Sequence, residues 1–161
     1  MQRPLILIIS IICVIVVGLF ALNLWQGSQA PLVGISADAT IIDLRGKGLT
    51  ALPAEIGQYT NARQLLLDDN SLTGALPAEI GRLTKLEVLS ASHNMLTGIP
   101  AEIGKLQSLQ ALDLSYNQID TYPQELGDLQ QSIVLNLQGN AFSEGRILEL
   151  QGLMPNAEIV F

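Results

Sequence analysis

The chain has 161 residues with a formal net charge of −7, and 48% of them are hydrophobic while only 4% are aromatic. This length allows one ordinary domain with a small appendage, and a single cysteine, Cys13, excludes a disulfide framework and a thiolate metal site. The acidic balance argues against nucleic-acid binding, which needs a clustered basic surface.

The first element in chain order is an apolar segment at residues 5–25, in which only Ser10, Gly18 and Asn23 are not apolar. A helix needs about 20 apolar residues to cross a hydrocarbon core roughly 30 Å thick. We therefore predict an uncleaved transmembrane anchor. A short N-terminus with a basic residue stays on the cytoplasmic side, so residues 1–4 are expected in the cytoplasm and the remainder in the periplasm or outside the cell.

A cleaved signal peptide is the alternative for this segment. Residues 28–30 and 37–39 both have the small-x-small form of a cleavage site, but signal peptides have a shorter apolar stretch of about 7 to 15 residues. Under both interpretations, the rest of the chain is exported from the cytoplasm. Residues 26–39 are rich in small and breaker residues and are predicted to be a linker.

An internal repeat fills the remainder of the sequence. Asparagines 70, 94, 117 and 140 are 24, 23 and 23 residues apart, and each lies in a frame of the form L-x-L-x-x-N-x-L, with an earlier copy that has Lys47 at the asparagine position. A second segment, Pro-x-Glu-(Ile/Leu)-Gly, begins at Pro53, Pro77, Pro100 and Pro123. A fixed period of this length is the signature of a repeat architecture.

This frame resembles the leucine-rich repeat family over about residues 40–161. The resemblance implies an α/β solenoid of about five repeats with a terminal strand cap, with short parallel strands on a concave face and short helical or 3₁₀ turns on a convex face. Leucines two residues apart would line the interior, and the asparagine amide would satisfy backbone groups at the turn. We expect the proline at the first helical position, the glutamate near the positive helix end, and the glycine to end each turn.

Side chains between the leucines are expected to point outward onto the concave face. Leu66 and Tyr116 are the strongest contact candidates, because large apolar and aromatic anchors dominate interfaces. Arg45 is expected to form a solvated salt contact with Asp68 and Asp69. The candidate binding residues are Asp43, Arg45, Leu66, Asp68, Asp69, Ser92, His93, Asp113, Ser115, Tyr116, Asn136 and Gln138, and the structural asparagines are Asn70, Asn94, Asn117 and Asn140.

Two chemical alternatives attach to polar residues of the repeats. His93, with Ser92 and Asp69 nearby in the frame, suggests a hydrolase triad, but this needs the hydroxyl within reach of the imidazole and an oxyanion site. We predict that the protein is not an enzyme and binds no cofactor. We also predict no metal site, since catalytic zinc needs three protein ligands. The glutamates at 55, 79, 102, 125 and 149 each stabilise their own turn, or alternatively form a stripe for a basic partner or divalent cations.

The predicted function is recognition or scaffolding by a membrane-anchored repeat protein that binds another protein through its concave face. A secreted, structural or adhesive surface protein without a discrete ligand is the alternative. The sequence phrase L-T-G-x-(I/L)-P resembles plant-type repeats, but paired-cysteine caps and N-x-(S/T) sites are missing from the sequence. A bacterial envelope protein is therefore favoured.

Overall fold

The computed structural model describes residues 30–161. The chain divides into two units, Met1–Val33 and Gly34–Phe161. The described part of the first unit is a 3₁₀ turn at Ala30–Leu32. The predicted cytoplasmic residues 1–4, the anchor at 5–25 and Cys13 lie outside the described residues. From residue 30 onward, no helix has the length and apolar character needed to cross a membrane.

Short parallel strands form the main sheet of the second unit, as the repeat predicts. Within residues 34–161 the sheet has six strands, which in their order across the sheet are β1 Ile41–Asp43, β2 Gln64–Leu66, β4 Val88–Ser90, β6 Ala111–Asp113, β7 Ile133–Asn136 and β8 Ala157–Val160. Thr73–Gly74 (β3) and Met95–Leu96 (β5) form a separate parallel pair.

The register of the sheet stacks the leucine frame without a slip. Leu65 pairs with Leu89, and β8 places Ile159 beside Leu135. The inward residues of β1, β2, β4, β6 and β7 are at most 2% exposed. Burying a side chain of this size contributes about 1.5–3 kcal/mol, so the column of leucines stabilises the stack of repeats.

Each of the first four repeats returns on the opposite side of the core through a short 3₁₀ helix. These helices are Ala54–Gln58, Ala78–Arg82, Ala101–Lys105 and Gln124–Asp128. Pro53 precedes its helix in an extended conformation with φ −70° and ψ 148°, and the other prolines do the same. The expectation of proline at the first helical position is therefore wrong by one residue.

The glycines of these helices have a different role from the predicted one. Gly57 and Gly81 lie inside their helices and are buried. A Cβ on Gly57 would lie 2.9 Å from Cβ of Glu79, and a Cβ on Gly81 would lie 2.9 Å from Cβ of Glu102. The prediction that glycine ends the turn is wrong, because the glycine is needed where one repeat packs closely on the next.

The last repeat contains an α-helix, α1 Glu144–Leu153, where the others have a 3₁₀ helix. Ile147 replaces the proline, and the Ser143 side chain accepts a hydrogen bond from the Arg146 amide, which is a favourable N-cap. Leu150 is fully buried. The altered repeat still covers the core, and β8 follows it.

Candidate protein-binding face

The outward residues of the six-stranded sheet form one continuous surface, which we call the sheet face. It is the surface that the sequence analysis assigned to the concave side. Its side chains form rows that run from repeat to repeat. The first row is Ile41, Gln64, Val88, Ala111, Val134 and Glu158, the second is Asp43, Leu66, Ser90, Asp113, Asn136 and Val160, and the third is Arg45, Asp68, Ser92, Ser115 and Gln138.

The first row is the part of the sheet face that the sequence analysis missed. Ile41 is 56% exposed and Val134 is 43% exposed, while Val88 and Ala111 are half-buried. The sequence could have predicted this row, because side chains two residues apart on a strand point to the same face. The residues of the first row lie two positions before those of the second row. With Leu66, they give the sheet face an apolar margin.

A fourth row lies just after the strands, and every residue in it has a left-handed backbone. The φ values are 56° at Asp69, 53° at His93 and 52° at Tyr116, with glycines Gly46 and Gly139 at the two ends of the row. A left-handed conformation costs an L-residue roughly 1–2 kcal/mol. The turn requires this conformation in every repeat, and the three central repeats keep a side chain there despite the strain.

The rings of His93 and Tyr116 form a stacked pair in the fourth row. Their centroids are 4.5 Å apart and the ring planes differ by 11°, which matches the spacing of about 4.8 Å between neighbouring strands. The Tyr116 ring also lies over Gly139, where a Cβ would be 2.7 Å from Cδ1 of the ring. Tyr116 remains 47% exposed, so the pair offers aromatic surface to solvent.

Hydroxyl groups orient the carboxylate of Asp68 on the sheet face. Its Oδ1 accepts hydrogen bonds from Ser90 Oγ at 2.5 Å, Ser92 Oγ at 2.8 Å and the Ser92 amide at 2.9 Å. The Ser92 hydroxyl therefore donates to Asp68, while the neighbouring His93 ring stacks on Tyr116. The structure does not bring Ser92 and His93 together as nucleophile and base.

Asp113 has a similar environment two repeats later. Ser115 donates from its amide at 2.9 Å and its hydroxyl at 2.7 Å to Oδ1, and Asn136 Nδ2 donates to Oδ2 at 3.1 Å. Gln138 is exposed beyond them, and its amide donates to Asn136 Oδ1. Across residues 30–161, no three His, Cys, Asp or Glu side chains are grouped so that they could hold a metal ion.

Arg45 makes its ion pair with Asp43, not with the acidic pair that the sequence suggested. Arg45 Nη2 lies 2.6 Å from Asp43 Oδ2, and Nε donates to Oδ1 at 2.9 Å. These side-chain hydrogen bonds, helped by the Arg45 amide, lower the pKa of Asp43 to about 2. Asp68 and Asp69 act on Arg45 only at longer range, where their charges help to raise its pKa.

The asparagines tie each repeat to the one before it from inside the turn. Asn117 is 7% exposed, and its Oδ1 accepts a hydrogen bond from the Leu96 amide at 2.9 Å. Its Nδ2 lies within 3.1 Å of the carbonyl oxygens of Ala91, Leu114 and Ser115. Asn70, Asn94 and Asn140 make equivalent bonds.

The glutamates of the 3₁₀ helices lie on the opposite side of the core from the sheet face. Glu79 and Glu102 line an open groove of about 330 Å³ together with Arg82 and Lys105. This groove is therefore lined by both acidic and basic side chains.

Comparison with known proteins agrees with this architecture. Residues 84–127 match the family model described as leucine-rich repeats, in two copies. No curated protein matches the chain. A leucine-rich repeat protein of Leptospira interrogans is 40% identical with a TM-score of 0.66, over 70% of this chain and 28% of that protein.

Two plant structures are also similar. One is the ectodomain of the membrane receptor kinase GASSHO1/SCHENGEN3 from Arabidopsis thaliana in complex with Casparian strip integrity factor 2, at 39% identity and a TM-score of 0.54, over 68% of this chain and 13% of that one. The other is a plant ice-binding protein at 30% identity and a TM-score of 0.61, over 70% of this chain and 37% of that one. The chain thus spans well under half of each of these three proteins. It contains leucine-rich repeats and folds as an α/β solenoid of that type.

Proposed function

We propose that this chain is a recognition protein, anchored in a membrane through residues 5–25, that binds another protein outside the cytoplasm through its sheet face. The observation that carries the proposal is the exposed ring pair of His93 and Tyr116 on a strained left-handed backbone. Backbone strain concentrates at functional positions. Glycine would relieve it, as it does in the first and last repeats.

Apolar exposure on the same surface supports protein binding. Val134 and Ile41 are exposed, and Leu66 is half-buried among polar neighbours. Interfaces place aromatic and apolar anchors at the centre of a polar rim. On the sheet face the arrangement is different, because the apolar residues of the first row and the ring pair flank the serines and carboxylates of the middle rows; these two margins supply the candidate anchors.

The similar proteins support the same class of function. The Arabidopsis ectodomain is in complex with Casparian strip integrity factor 2, and it shares the repeat architecture with this chain. A partner that lies on the sheet face is the simplest use of an exposed apolar and aromatic surface on such a scaffold.

Affinity capture with the full-length chain tests the proposed binding face. Changing Leu66, Tyr116 and Val134 together to alanine should weaken partner capture by more than about 100-fold, since loss of central anchors costs 2 kcal/mol or more each. The matched control changes Glu79, Glu102 and Glu125 to glutamine on the opposite side, and it should leave capture unchanged. Capture that survives the first variant and is lost in the control would place the site on the 3₁₀ helices. A chain that captures no partner would favour the structural or adhesive alternative.

Fractionation with mass determination of the N-terminus tests the anchor. We expect the chain in the membrane fraction with residues 5–25 still attached, because the apolar segment is long enough to span a bilayer. Alkaline carbonate washing should not release it. Recovery of a soluble form that begins near Pro31 would show a cleaved signal peptide and a secreted protein.

A further inference from the structure

We propose that the segment bound on the sheet face is an extended peptide carrying an arginine, whose guanidinium group lies against His93 and between the carboxylates of Asp68 and Asp69. This inference rests on the proposed function and specifies the chemistry of its partner. An apolar side chain of the same peptide lies over Val88, Ala111 and Val134.

Charge on the sheet face calls for a cation from outside the chain. Arg45, on which the charges of Asp68 and Asp69 act at longer range, is bound in two hydrogen bonds by Asp43. In the part of the chain that the structure describes, the carboxylates in ion pairs are those of Asp43, Glu87 and Glu149. No Lys or Arg nitrogen there lies within 4.0 Å of the carboxylates of Asp68, Asp69 or Asp113. The third and fourth rows contain no lysine or arginine after Arg45.

The acidic pair and the ring pair are positioned to act on one group. Asp69 and His93 have nearly the same φ, 56° and 53°, one strand apart, so their side chains leave the backbone in the same direction. Tyr116 covers one face of the His93 ring. Asp69 precedes His93 in the row and Tyr116 follows it, so the face of the His93 ring that is turned away from Tyr116 is on the Asp69 side, where a planar cation would stack on the ring and meet the carboxylate.

Asp68 adds a second, already oriented carboxylate. The three hydrogen bonds to its Oδ1 fix the group, and Oδ2 accepts none from residues 30–161. A carboxylate held before binding loses little freedom when a ligand arrives. Guanidinium suits this site better than ammonium, because it is planar, stacks on rings and donates in a fork that matches a carboxylate.

The distance between the apolar row and the ring pair sets the length of the peptide. Val88 and Ser92, in the first and third rows, are four residues apart, which is at most about 13 Å at roughly 3.3 Å per residue, and His93 follows in the turn just beyond. An extended peptide of about five residues covers the same length. Side chains of an extended peptide alternate between its two faces, so the arginine and the apolar side chain, which both face the sheet, are expected four positions apart.

A phage-displayed random heptapeptide library, selected on the full-length chain, tests the inference. Enriched peptides should contain an arginine four positions from a valine, leucine or isoleucine. In synthetic copies of these peptides, replacing arginine with its neutral isostere citrulline should weaken binding at least 10-fold. Asp69→Asn and His93→Ala should each do the same, and asparagine adopts the left-handed conformation readily, so the first change preserves the fold.

Asp120→Asn is the matched control, because Asp120 is an exposed carboxylate outside the sheet face. Its effect on binding should be less than twofold, and an effect equal to that of Asp69→Asn would reduce the result to general charge attraction and overturn the inference. Enrichment of acidic or purely apolar peptides that still depend on Leu66, Tyr116 and Val134 would overturn it while leaving the proposed function intact. If the selected peptides bind equally well after Leu66, Tyr116 and Val134 are changed together to alanine, the result would contradict both this inference and the proposed function.

Discussion

Changing Asn117 to alanine should lower the free energy of unfolding by about 3–5 kcal/mol, in the upper range for single substitutions. The substitution removes the acceptor for the Leu96 amide and the donor for three carbonyl oxygens, all in a buried turn. An unsatisfied buried polar group costs about 1–3 kcal/mol. Urea denaturation followed by circular dichroism on the full-length chain measures the change.

Asn156→Ala is the control for this prediction. Asn156 is exposed, and its side chain donates one hydrogen bond to the Gln130 carbonyl at 3.1 Å. Its loss should cost no more than about 1 kcal/mol. If both variants unfold at the same urea concentration, the buried asparagines do not hold the repeats together in the way described here.

Changing Gly104 to alanine should destabilise the chain by about 3 kcal/mol, the upper end of the cost of overpacking. A Cβ at this position would overlap the carbonyl oxygen of Glu125 and lie 3.1 Å from its Cβ. The two 3₁₀ helices would have to separate, and the leucines between them would lose contact. Thermal or urea unfolding measures the loss.

Gly152→Ala is the matched control, since Gly152 lies in α1 with no atom within 4 Å of an added Cβ. Alanine is a better helix former than glycine by about 1 kcal/mol, so this variant should be slightly more stable than the parent. Equal destabilisation by both glycine variants would contradict the role assigned to close packing between repeats.

The sequence predicted the repeat architecture because its signal is redundant. The leucine frame, the asparagine spacing and the Pro-x-Glu segment recur in register, and each identifies one part of a unit. The β-strands, their parallel order and the 3₁₀ helices are confirmed by the structure. The anchor and the bacterial origin stay predictions.

The details of the candidate face were harder to predict because they depend on neighbouring repeats. The left-handed row at Asp69, His93 and Tyr116 follows from how each strand turns, which no single residue type indicates. Arg45 forms its ion pair with Asp43, two residues away, and not with Asp68 and Asp69 of the next repeat. The glycine of each Pro-x-Glu segment was predicted to end a helix. In the structure it allows close contact with the next repeat, which the sequence of one repeat does not indicate.

Hydroxyl-radical footprinting of the full-length chain, alone and with its captured partner, tests most directly the claim that the sheet face is the binding surface. Met95 and Leu148 serve as internal references, since they are 40% and 69% exposed and lie outside the sheet face. We predict that oxidation of His93, Tyr116 and Val134 falls several-fold in the complex while the references stay unchanged. Protection of Met95 or Leu148 with unchanged oxidation of Tyr116 would contradict the account.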